Sequence, residues 1–210
     1  MEQTIRFWDR HAAGYAKSPI KNMEGYTYTL TRTRSYLKAT DRALELGAGT
    51  GSTALELAPS VAHITATDIS PAMIDIGKEK ARHQGIDNID FLAADSLVSN
   101  LEGPYDVILA HNLLHLVEDL PATLKRVHAL LKPGGLFISK TFCKPARIGP
   151  PLYYAMRLAL PLMRLFGKAP YVAVMRIAEL ETAITDEGFT IIETGNYPAK
   201  ELSRYIVARR

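Results

Sequence analysis

Leu44-Glu45-Leu46-Gly47-Ala48-Gly49-Thr50-Gly51 is an apolar run that breaks off into alternating glycines. Residues 42–46 have the length and composition of a buried strand, and the residues after Gly51 have helical spacing. Glycine lets the backbone adopt left-handed turns and lets a ligand approach closely. A helix starting there offers free N–H groups and a positive dipole end. Any tight strand-to-helix connection can look like this, so the neighbouring strand ends must be read as well.

The same rhythm recurs along the chain. Apolar strands are predicted over 62–67, ending at Asp68; over 88–93, ending at Ala94-Asp95; over 105–110, ending at His111-Asn112; and over 135–140, ending near Thr141. Ser70-Pro71 is a helix start, with a capping hydroxyl before a proline at the first helical position. Ala72, Met73, Ile76 and Ala81 supply its apolar stripe. Asp119-Leu120-Pro121 opens another helix, with Leu124, Val127 and Leu131 inward and Lys132-Pro133-Gly134-Gly135 as its stop. A helix over 176–187 precedes two strands, 189–194 and 201–208, whose short connection makes them antiparallel. Helices are also predicted over 4–13 and 22–38. The expected fold is therefore α/β: a Rossmann-like, doubly wound, seven-stranded sheet, mostly parallel with an antiparallel C-terminal hairpin and helices on both faces. One domain spans 1–210, organised as a helical cap (1–40), a ligand-binding core (41–142), a substrate-side lid insertion (143–175), and a last helix with the hairpin (176–210).

Composition narrows the function. The 210 residues carry 25 basic and 22 acidic side chains, a balance far from that of a chain built to coat nucleic acid. The single cysteine, Cys143, excludes an internal disulfide, and no Cys/His spacing suits zinc. The first residues lack the apolar run of a signal peptide, and no stretch matches the ~20 apolar residues of a membrane span. A soluble, cytoplasmic protein is expected.

Ligands of open α/β sheets bind outside the carboxyl ends of the strands, where strand order reverses. Asp68 lies nineteen residues beyond Gly49, the spacing at which a carboxylate accepts the hydroxyls of an adenosine ribose. Asp95, at the third strand end, can accept from an adenine amine. Together these residues carry a resemblance. The 44–51 stretch and Thr67-Asp68-Ile69-Ser70-Pro71-Ala72-Met73 resemble the first two motifs of the class I S-adenosylmethionine-dependent methyltransferases. Asp95 falls at that family's adenine-contacting acid. The strand over 105–111 and Leu131-Lys132-Pro133-Gly134-Gly135 are similar to its fourth and fifth motifs. Trp8-Asp9 with Tyr15 resembles, less specifically, the cap of its quinone-biosynthesis-like, small-molecule branch.

The resemblance implies S-adenosyl-L-methionine as cofactor and S-adenosyl-L-homocysteine as product. It assigns Glu45 and Gly47, Ala48, Gly49, Thr50 and Gly51 to the methionine end. Asp68 goes to the ribose, Ile69 and Met73 to the adenine faces, and Ala94, Asp95 and Ser96 to its edge. His111 and Asn112 go to the amino-acid portion and the methyl, and Tyr15 comes from the cap. His111 and His115 are the candidate bases, because imidazole titrates near neutrality; His115, within Leu113-Leu114-His115-Leu116-Val117, also reads as a packing histidine.

The rival on the same sheet is a nicotinamide oxidoreductase or a non-catalytic nucleotide-binding protein. The oxidoreductase's third glycine is replaced here by Ser52. A nucleic-acid methyltransferase would suggest an Asn-Pro-Pro-Tyr-like tetrad where this chain has His111-Asn112-Leu113-Leu114. The expected acceptor is a small or lipid-like molecule, with no nucleic-acid partner and no metal. Residues 152–166 are apolar, with Arg157 and Arg164 and no acids. They read either as a lid whose arginines reach solvent or as an amphipathic segment resting on a membrane. Neither the acceptor atom nor the oligomeric state is written in the sequence.

Overall fold

The computed structural model describes residues 2–95, 97, 101–144, 158–164, 167–197 and 202–210. Two helices, α1 (Glu2–Lys17) and α2 (Met23–Arg34), precede the sheet. The strands are β1 (Arg42–Leu46), β2 (His63–Asp68), β3 (Ile89–Ala93), β4 (Tyr105–His111), β5 (Leu131–Phe142), β6 (Thr190–Asn196) and β7 (Ser203–Arg209). Between them lie α3 (Ser52–Leu57), α4 (Pro71–Gln84), α5 (Leu120–Leu130) and α6 (Ile177–Asp186); residues 158–164 are also helical.

The sheet order is β3-β2-β1-β4-β5-β7-β6. Strands β1 to β5 pair in parallel, and β7 inserts antiparallel between β5 and β6. The expected seven-stranded mixed sheet is therefore present. Strand order reverses between β1 and β4, which puts the topological switch point beside the glycine turn.

Two apolar layers cover the faces. Leu124, Val127 and Leu130 of α5 and Leu180 and Ile184 of α6 pack on one side with Phe137 and Ile206. Leu30 of α2, Leu55 and Leu57 of α3 and Ala81 of α4 pack on the other with Ile64, Leu109 and Val207. Both faces being covered explains why the central strands read as nearly continuous apolar runs.

Three expectations shift in detail. The second N-terminal helix ends at Arg34 rather than 38; Asn22 caps its start by accepting from the Gly25 N–H at 2.9 Å. The buried stripe of α4 is Met73, Ile74, Gly77 and Ala81, with Ala72 and Ile76 flanking it. Gly77 is needed because the Phe91 ring lies where its Cβ would be, 2.4 Å from Cε1. The third concerns the Lys-Pro-Gly-Gly turn. Helix α5 runs directly into β5 at Leu131, which pairs with Tyr105, and the register then jumps to Val107↔Leu136. Residues 132–135 therefore form a bulge within the strand rather than a loop before it. Its Gly134 N–H donates to the Arg210 carbonyl at 3.1 Å, and the Arg210 N–H donates back to Gly135 at 2.9 Å.

Candidate active site

The glycine turn is held by the strand beside it. The Ala48 N–H donates to the Thr67 carbonyl at 2.8 Å. Asp68 braces both sides of the crevice: one carboxyl oxygen accepts from the Gly49 N–H and the other from the Ser70 N–H, each at 2.9 Å. Each oxygen keeps a second lone pair for a ligand hydroxyl. Burial pushes the Asp68 carboxyl above its ordinary value, and the two N–H donors partly offset this. Gly47 and Gly51 both sit at left-handed φ, 64° and 73°. A Cβ on Gly47 would meet Leu113 Cδ1 at 2.7 Å, and one on Gly51 would meet Phe91 Cε1 at 2.4 Å. Lys80 of α4 closes the far side, donating to the Thr50 hydroxyl at 2.8 Å and to its carbonyl at 3.2 Å.

The first turn of α4 docks the N-terminal cap. Ser70 Oγ accepts from the Met73 N–H and donates to Asp9 Oδ1 at 2.6 Å, and Asp9 also accepts from the Ala72 N–H at 3.2 Å. An acid from α1 thus reaches the N-terminus of α4, where the dipole favours negative charge. This contact lays α1 over the crevice.

A cavity of about 380 Å³ opens there, a size that suits a small organic ligand. One half is lined by Gly47, Gly49, Asp68, Ile69, Met73, Ala94 and Asp95, with Tyr15, His111 and Asn112. The rest of the lining comes from α1, the turn after β4 and the chain before α6, as Thr4, Trp8, Leu113, Leu116, Val117, Glu118, Asp119 and Tyr171, with Leu97 following Asp95; these segments make the other half. Asn112 takes a left-handed φ of 58°, which asparagine tolerates better than most residues, and this turns the chain so that Leu113 packs against Gly47. Tyr15 keeps its phenol protonated, because burial and the nearby Asp68 and Glu45 raise its pKa.

The remaining sequence-predicted residues sit elsewhere. Ala48, Thr50 and Gly51 shape the turn without lining the cavity, and Ser96 lies outside the described residues. Glu45 is only 2% exposed and lies beneath the cavity floor. Its Oε1 is 3.7 Å from His111 Nδ1, while Oε2 has no hydrogen-bond partner among the described residues. His111 Nε2 is 3.4 Å from Thr33 Oγ1, which in turn lies 3.3 Å from the Tyr205 hydroxyl. His111 Nδ1, nearest to Glu45, makes no hydrogen bond among the described residues, and only Nε2 has a partner within reach. His115 does not line the cavity. Its ring is 6.1 Å from Phe142, its Nδ1 is buried, and burial drops its pKa to about 4. Cys143 is buried, with its thiol pushed up to about 11, and so is unreactive.

Sequence reasoning left out most of the second half of the cavity. Trp8 and Asp9 carried a weak signal in the cap motif. Tyr171 falls in the 143–175 insertion, which the sequence marks as substrate-side without singling it out, and Leu116 and Val117 carried no signal, because apolar residues beside a strand end look like core.

A methyltransferase-domain family model matches residues 44–137, the stretch from β1 into β5. Over this stretch the chain is similar to a methyltransferase domain. The core is 38% identical over 98 residues to the tRNA 5-carboxymethoxyuridine methyltransferase of Escherichia coli strain K12. That match covers 45% of this chain and 38% of the relative, so well under two thirds of the relative's length is shared. Among solved structures, DhpI in complex with S-adenosylhomocysteine superposes with a TM-score of 0.76 and 21% identity, over 99% of this chain and 95% of that one. The [4+2]-cyclase SpnF superposes with a TM-score of 0.72 and 18% identity, over 92% of this chain and 83% of that one. These likenesses establish the fold. Because one belongs to a cyclase, the reaction must be argued from the site.

The residues present suit the methyltransferase cofactor. A buried, unpartnered carboxylate oxygen on Glu45 is costly unless a donor reaches it, and the cofactor's ammonium is such a donor. Asp68 has free lone pairs toward the cavity, and no helix among the described residues is long and apolar enough to cross a membrane.

Proposed function

We propose that this chain transfers a methyl group from S-adenosylmethionine to an uncharged, hydrophobic small-molecule or lipid-like acceptor. The observation that carries this reading is the cavity itself: a polar adenosine half continues into a half walled by Trp8, Leu113, Leu116, Val117 and Tyr171, whose two acids are engaged, Glu118 by Arg164 and Asp119 by the Ala122 N–H, with no Lys or Arg among its described lining residues.

When bound, S-adenosylmethionine supplies an electrophilic methyl on a sulfonium. Asp68 would accept from the ribose hydroxyls, and Ile69 and Met73 would flank the adenine. Ala94 and Asp95 would meet its edge, and Glu45 Oε2 would take the ammonium. Trp8, Leu116, Val117 and Tyr171 would hold the acceptor in line and exclude water, which is where most of the rate comes from in such a displacement.

The acceptor's proton has few takers. The nitrogens of His111 face Glu45 and Thr33, His115 is off the cavity, Tyr15 stays protonated, Glu118 pairs with Arg164, and Asp119 caps α5 by accepting from the Ala122 N–H at 2.9 Å. This supports an acceptor that is already nucleophilic without losing a proton, such as a neutral amine.

Calorimetry with S-adenosylmethionine, S-adenosylhomocysteine and NAD tests the cofactor: saturable binding of the first two and none of NAD is expected, and the reverse would overturn the reading. Release of S-adenosylhomocysteine with hydrophobic amines and phenols tests the acceptor class. Turnover on tRNA alone would replace it with the reaction of the E. coli relative.

A further inference from the structure

Residues 158–164 form a short helical stretch whose apolar side chains point outward. Leu158 is 83% exposed, Leu162 60% and Met163 39%. Leu158 and Leu162, four apart, share one side of the helix and make an apolar ridge, with Met163 on its flank. Cations surround it. Arg164 and Lys168 are exposed, and Arg10 of α1 reaches across to donate to the Gly167 carbonyl at 3.0 Å. From Leu158 to Arg176 the sequence holds Arg164, Lys168 and Arg176 and no Asp or Glu.

This ridge shares a wall with the cavity. The Arg164 guanidinium lies 5.0 Å from the centre of the Tyr171 ring and pairs with Glu118; both Tyr171 and Glu118 line the cavity.

We infer that this face docks on an anionic lipid surface, with Leu158, Leu162 and Met163 entering the interface and Arg10, Arg164 and Lys168 meeting lipid phosphates. Apolar residues flanked by basic ones, on a segment that itself carries no acids, match such a surface in both polarity and charge. A second copy of the chain matches poorly, because a two-fold contact would set each cation cluster against its own image. Lipid phosphates would compete with Glu118 for Arg164. Docking would then loosen the Tyr171 and Glu118 wall and open the acceptor half toward the bilayer.

The test is co-sedimentation of the full chain with phosphatidylcholine vesicles, with and without about 30% phosphatidylglycerol. Retention is expected only on the anionic vesicles, and it should fall as salt rises. The double variant Leu158→Ser, Leu162→Ser should lose roughly ten-fold in retention. These side chains are exposed, so its thermal midpoint and S-adenosylhomocysteine affinity should stay at wild-type values. Absent wild-type retention, equal retention on both vesicle types, or full retention by the double variant would each overturn the proposal. So would a wild-type dimer in sedimentation velocity that the double variant dissociates. Cofactor affinity is read separately by calorimetry, so a failure of the methyl-transfer reading registers there and leaves the vesicle result standing.

Discussion

The two halves of the cavity are built differently. The adenosine half is made of strand ends and braced by backbone groups: Ala48 on Thr67, and Gly49 and Ser70 on Asp68. Its partners lie on adjacent strands of one sheet. The acceptor half is assembled from α1, the turn after β4 and the chain around Tyr171. Its joints are side-chain contacts between distant segments, Arg10 to Gly167 and Arg164 to Glu118. Parallel strand pairing and short local bonds, the Asp68 carboxylate holding the N–H groups of Gly49 and Ser70 among them, fix this geometry within one sheet edge. Side-chain joints between segments can be altered one at a time. A rigid half for a constant ligand and an adjustable half for a varying one follow from that difference.

The comparison can be broken first at the glycine turn. Gly51→Ala adds a Cβ at left-handed φ and against Phe91. The expected cost is about 2–4 kcal/mol, a fall of roughly 6–12 °C in thermal midpoint by calorimetry. An unchanged midpoint would mean that the turn is not rigid.

Asp68→Ala is next. Loss of the ribose acceptors should weaken S-adenosylhomocysteine binding by about 100-fold in titration calorimetry. It should also cost about 1–3 kcal/mol of stability, because the Gly49 and Ser70 N–H groups lose their acceptor. Affinity within three-fold of wild type would remove Asp68 from the ligand.

His115 tests the joint between the halves, since its carbonyl accepts from the Ala173 N–H at 2.7 Å. Burial lowers its pKa from 6.5 to about 4. The unfolded chain therefore takes up that proton first as pH drops. Stability from this group is full above about 6.5 and is lost progressively down to about 4, at most roughly 3 kcal/mol. His115→Leu should flatten that part of the denaturation-midpoint profile and leave cofactor affinity unchanged. If methyl transfer collapses while affinity holds, His115 acts on the acceptor after all.

The smallest effect is expected at Trp8. Trp8→Ala should raise the acceptor KM by about ten-fold and shift cofactor affinity by less than two-fold, since it removes apolar wall from one half only. Equal losses in both would show that the halves are not separable.

Much of the rigid half was legible in the sequence for a physical reason. A strand end followed by glycines, or by an acid at fixed spacing, is a local pattern, and parallel strand pairing brings such ends together whatever the rest of the chain does. Gly47, Gly49, Asp68, Ile69, Met73, Ala94 and Asp95 all reach the cavity. The role of Asp68 as a backbone brace was not legible, because Ser70 already explained the helix cap.

Local sequence therefore determined the strand and helix order, the covered sheet and the crevice at its reversal, since each depends on periodicity and turn chemistry within a few residues. Only the tertiary structure decided that Asp9 locks α1 onto α4 and that Trp8 and Tyr171 share a wall. It also decided that the ring of His111 turns toward Glu45 and Thr33. Those facts rest on contacts between segments tens of residues apart, whose side-chain directions no local pattern encodes.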